Sequence, residues 1–169
     1  SDTAAETLAG NIGWILSEYK LNTDDVVVLG QTVKLLREVE AAYCQLTHKL
    51  TMINFETLKQ YELITQRSDE RYKDRVIKAV RRAAKTHFTT DCTQIKMSTI
   101  HSFKGWESKT IILLLQPDMQ SDEFIDEHHI NKRDNIPALI YTALTRAKGN
   151  LFIINMGNKY YHKFFQENI

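Results

Sequence analysis

Residues 95–115 read IKMSTIHSFKGWESKTIILLL, and the reading of this stretch decides the fold. Ile95–Ile100 has the residues of a strand, and Thr110–Leu115 has those of a second. The apolar run Ile111–Leu115 has the length of a buried strand and is far short of the ~20 residues a membrane span requires. Upstream, Val26–Leu29 is a continuous apolar run, the signature of a strand covered on both faces in a parallel sheet. Gly30, Gln31 and Thr32 then turn the chain into a helix predicted over Val33–His48, with Leu35, Leu36, Val39 and Tyr43 facing inward. This is half of a β-α-β unit.

The remaining elements follow the same rhythm. Thr7–Leu21 has apolar residues at helical spacing (Leu8, Ile12, Ile15, Leu16), with Gly10 and Gly13 counting against it. Leu50–Phe55 suits a short strand, and Leu58–Ile64 fits no single period. Asp69–Thr86 predicts a helix carrying Arg71, Arg75, Lys78, Arg82 and Lys85 on one stripe and Tyr72, Val76, Val80 and Ala83 on the other. Between Pro117 and Pro137 the polar stretch Asp118–Asn135 reads as a surface loop or loose helix. A helix starting at Asn135–Pro137 and ended by Lys148, Gly149 and Asn150 precedes a third strand, Leu151–Asn155. Strands alternating with helices predict an α/β fold, with a mostly parallel sheet covered on both faces.

The bulk properties set limits. A chain of 169 residues suits one domain, residues 1–169, with a real core. A net charge of +1 and pI near 7.8 do not announce a polyanion partner, so local charge must carry any such reading. Cys44 and Cys92 lack CxxC partners, and no metal site is expected. Cys44 and His48 share a helix face, which suits an ordinary structural pair better than half a metal site. Ser1–Leu8 is small, polar and acidic, so no signal peptide is expected, and a cytoplasmic, membrane-free location is the default.

Two blocks carry candidate chemistry. In STIHSFKGWE, residues 98–107, hydroxyls at Ser98, Thr99 and Ser102, with His101, Lys104 and Gly105, follow a strand, and Glu107 closes the block. Hydroxyls and exposed backbone N–H groups bind phosphate oxygens, and glycine lets a backbone approach a ligand closely. The same residues also suit a solvated link between strands. In LIYTALTRAK, residues 139–148, Tyr141, Thr142, Thr145 and Arg146 are placed on a short helix. Arg146 there has the chemistry of an arginine finger, or of an ordinary surface ion pair. The basic stripe suits phosphate backbones, or simply water. None of the six glycines is followed by lysine, so the phosphate cradle GxxxxGK[ST] is missing from this sequence.

Thr99, His101, Lys104, Gly105 and Glu107 stand at the spacing of T-x-H-x-x-K-G-x-E, which resembles motif V of superfamily I DNA helicases of the UvrD, Rep and PcrA kind. Leu139, Tyr141, Ala143, Thr145, Arg146 and Ala147 resemble motif VI, and residues 26–40 fall where motif IV belongs. The resemblance spans about Val26–Asn155 and is specific in its second half. It implies a RecA-like second motor domain, a three-layer sandwich around a mostly parallel sheet. Such a domain shares ATP and Mg²⁺ with an N-terminal RecA-like domain of the same polypeptide, and it works on single-stranded or partly duplex DNA. By this resemblance Arg146 reaches the γ-phosphate and is the catalytic residue, Glu107 binds the ribose, and Gly105 brings backbone near the nucleotide. By the same resemblance Ser98, Thr99 and His101 would face single-stranded DNA; Arg75, Lys78 and Arg82 are nucleic-acid candidates from the charge of their stripe. The arginine that motif IV usually carries after its strand is replaced by Gly30 and Gln31, leaving Gln31 as the candidate phosphate contact; the nearest arginine is Arg37, inside the following helix. Where these helicases insert a large accessory domain, only some fifty residues stand here. The alternative is a helicase-like fold without catalysis, serving as a nucleic-acid-binding or protein-interaction module.

Overall fold

The computed structural model describes residues 3–67, 69–117, 140–159, 161–162 and 166. In chain order these form α1 (Ala4–Glu18), β1 (Val26–Gly30), α2 (Val33–Thr47), β2 (Thr51–Ile53), α3 (Leu58–Thr65), α4 (Glu70–His87), β3 (Ile95–Thr99), β4 (Ser108–Leu115) and β5 (Ala147–Asn155), with a helical segment over residues 140–144. The five strands make one sheet in the order β2-β3-β1-β4-β5, and every pairing is parallel. The predicted α/β class is therefore the observed one.

Alternation along the buried strands feeds two cores. Val26, Val28, Ile95, Met97, Ile112 and Leu114 pack against α1 and α2. Val27, Leu29, Ile111, Leu113 and Leu115 meet Phe88, Ile100, Phe103, Ile140 and Ala143 on the other face. Helices and linkers thus cover both faces, the three-layer arrangement a parallel sheet requires, because each strand residue needs an apolar neighbour on its own side. Among the described residues, no helix is long and apolar enough to cross a membrane.

Several local expectations change. Leu58–Thr65 is a helix, started by a capping box in which Thr57 and Gln60 satisfy each other's backbone N–H. The final helical stretch ends by residue 144, with Thr145 and Arg146 in a turn, instead of running to Lys148. The reason is the ladder: Ala147 pairs with Ser108, so the backbone is already committed to β5. A Cβ on Gly149 would lie 3.0 Å from the Lys109 carbonyl, so glycine serves a close strand approach there. Trp106 is 38% exposed and meets Phe88 edge-on at 5.8 Å. The stretch 118–135 and the predicted helix start at 135–137 lie outside the described residues.

Candidate functional site

In a parallel sheet, residues that follow strands and residues that precede them lie at opposite ends. Leu29 pairs with Leu113, and Ser108 comes five residues earlier, roughly 17 Å down the strand at ~3.3 Å per residue. The candidate residues therefore fall into two groups.

At the end where β4 and β5 begin, the Ser108 amide donates to the Arg146 carbonyl at 3.0 Å. This brings together Glu107 and Arg146, which are thirty-nine residues apart in the sequence. Lys148 joins them, its Nζ 2.6 Å from Glu107 Oε2. The hydrogen bond from Lys148, its charge and that of Arg146 hold the Glu107 carboxyl below the usual carboxylate range. Arg146 is half-buried, and its Nε is buried without a hydrogen-bond partner among the described residues. Gly105 sits two residues from Glu107 with φ +93°, a conformation that an L side chain resists. The turn before it is pinned by fully buried Phe103, whose amide donates to the Thr99 carbonyl at 3.0 Å.

At the other end, where β1 and β3 finish, lie Gln31, Ser98, Thr99 and His101. Gln31, grouped above with Glu107 and Arg146, is not at their end of the sheet, because it follows β1 instead of preceding a strand. Its Oε1 is buried without a hydrogen-bond partner among the described residues. Ser98 is fully buried, accepting from Asn54 Nδ2 at 2.7 Å and donating to the Thr99 carbonyl at 3.0 Å. Its hydroxyl is therefore spent inside the protein and braces the turn instead of facing a ligand. Thr99 is nearly buried, and its Oγ1 accepts from the Ser102 amide at 3.2 Å. His101 alone of this group is exposed.

Arg37 turns inward. It pairs with the fully buried Glu56 and lies over the Tyr61 ring at 3.5 Å. Arg81 of α4 grips the same carboxylate with two bonds of 2.6 and 2.8 Å. Burial raises the Glu56 carboxyl, but the hydrogen bond from Arg81 and the charges of Arg81 and Arg37 outweigh it, leaving the group below its ordinary range. Nothing in the sequence announces this trio, since its members stand on three separate elements. Lys148 was also missed as a site residue, although it lies within the quoted block.

Arg75, Lys78 and Arg82 are exposed on α4, together with Arg71 and Lys85. No cluster of three or more histidine, cysteine, aspartate or glutamate residues suited to a metal ion occurs among the described residues.

No family model matches the sequence, and no curated protein matches it. Among solved structures, the chain is similar to the C-terminal domain of a possible DNA helicase from Lactobacillus plantarum WCFS1. The two share 11% identity over 91% of this chain and 67% of that chain, with a TM-score of 0.46. A likeness of that degree carries no residue's role from one protein to the other.

Proposed function

We propose that this chain is the second motor domain of an ATP-dependent DNA helicase, completing an ATP site whose phosphate cradle lies on another domain. The observation that carries the reading is the meeting of Glu107 and Arg146 at one end of the sheet, joined through the Ser108–Arg146 backbone bond. Arg146 offers fixed positive charge beside Glu107, the chemistry that stabilises a transferring phosphoryl group. Glu107 offers an acceptor for ribose hydroxyls once Lys148 releases it, and Gly105 supports close backbone approach. ATP and magnesium would be supplied at the cleft with the partner domain, with Arg146 and Glu107 as this chain's contacts to the nucleotide. His101 projects from the far end of the same linker and meets single-stranded DNA, so residues 100–107 connect the two ends. Cleft closure on ATP then shifts the grip on the strand.

This chain alone is expected to show no ATP turnover, for want of GxxxxGK[ST]. In the parent protein, Arg146→Ala is expected to lower ATP turnover roughly 10³-fold, measured by phosphate release under saturating DNA. Near-normal turnover in that variant removes Arg146 from the mechanism.

A further inference from the structure

α4 carries seven lysines and arginines against two acidic residues over eighteen positions. The structure divides those cations in a way the sequence does not. Lys73 is neutralised by Glu70 at 2.6 Å, and Arg81 by Glu56 at 2.6 Å. The other five, Arg71, Arg75, Lys78, Arg82 and Lys85, are all exposed and form no ion pair with any described residue. Their spacing places them within an arc of about 80° and along about 21 Å of helix axis. No residue of α4 is buried. The helix is held from behind, by the Arg81–Glu56 bonds and by half-buried Tyr72, Val76 and Val80.

We propose that this face is a docking rail for the phosphate backbone of duplex nucleic acid, distinct from the single-strand contact at His101. A rail of 21 Å matches about six base pairs at 3.4 Å each, and duplex supplies a charge every ~1.7 Å of axis. Single strands are gripped by aromatic side chains on which bases stack. The five-cation stripe contains none, and the Tyr72 ring, about 100° around the helix from the stripe's centre, is covered by Arg67. The stripe's five side chains are all cationic and exposed, bordered by the exposed carboxylate of Asp74, and so suit the dense phosphate charge of a double helix. The inference stands on α4 alone, so it survives or fails independently of Arg146.

The test is fluorescence anisotropy of the chain with a labelled 20-base-pair blunt duplex and with the corresponding single strand, between 50 and 200 mM salt. Five phosphates neutralised give a duplex slope of log K against log salt near −4.5, about 500-fold across that range. The triple variant Arg75→Gln, Lys78→Gln, Arg82→Gln leaves two cations and is expected to reduce the slope to about −1.8. Circular dichroism confirms that the variants fold. Single-strand binding is expected to lose less than duplex binding in that variant, since each neutralised phosphate contributes about −0.7 to its slope against about −0.9 for duplex. A charge-matched control, Lys34→Gln, Lys49→Gln, Lys59→Gln, removes three exposed lysines outside α4 and is expected to leave the duplex slope unchanged. The proposal is overturned by absence of duplex binding at 50 mM salt, by equal losses in the two triple variants, or by an equal loss of single-strand binding. Competition by poly-glutamate as effective as that by unlabelled duplex also overturns it, in favour of an acidic protein partner.

Discussion

Replacing Glu56 by glutamine removes the one negative charge that two arginines from different helices share. Glu56 and Arg37 are buried, while Arg81 keeps a side-chain exposure of 38%. The loss therefore falls on Arg37, which would retain its charge in a buried site beside the Tyr61 ring. Breaking one partner of a buried pair costs about 3–5 kcal/mol. That is a large share of the ~5–15 kcal/mol that holds a domain together. With a urea m-value of about 2 kcal/mol/M, the midpoint of unfolding should fall by roughly 1.5–2.5 M. A drop below about 0.5 M would refute the reasoning. Replacing both ends with apolar groups, Arg37→Met with Glu56→Leu, should recover more than half of the loss, because no stranded charge remains. The pH dependence has a definite sign. The folded carboxyl lies below its ordinary value, so its contribution is complete above the unfolded carboxylate range. It fades as pH falls below about 4.3 towards the folded value. The stability gap between wild type and Glu56→Gln should therefore narrow on acidification. Because Arg81 ties α4 to the rest of the protein through this same carboxylate, amide exchange in α4 should accelerate more than in β1.

Two further perturbations test other parts of the structure. Lys148→Met removes the group that, with Arg146, depresses Glu107, so the Glu107 carboxyl should titrate at higher pH, as followed by its side-chain ¹³C NMR shift. An unchanged titration would mean that the 2.6 Å pair does not persist in solution. Gly105→Ala forces a side chain into φ +93° with no steric neighbour within 4 Å, so backbone strain alone should cost about 1–3 kcal/mol in urea unfolding. A neutral result would show that the turn between β3 and β4 relaxes.

The apolar runs Val26–Leu29 and Ile111–Leu115 announced the central strands because strands covered on both faces are built mainly from apolar residues. The periodicity of α2 and α4 was equally legible, since one face of each had to be specified. The Glu107–Arg146 meeting was foreshadowed only by resemblance; the ladder that begins with Ser108 and Ala147 sets their actual spacing. Tertiary structure alone decided that Gln31 stands at the opposite end of the sheet and that the Ser98 hydroxyl is spent internally. It also turned Arg37 towards Glu56 and left five of the seven α4 cations without ion-pair partners among the described residues. Local patterns record which residues must avoid water. Which polar groups satisfy one another is decided by chain crossings that bring distant residues together, and period and composition carry no record of those.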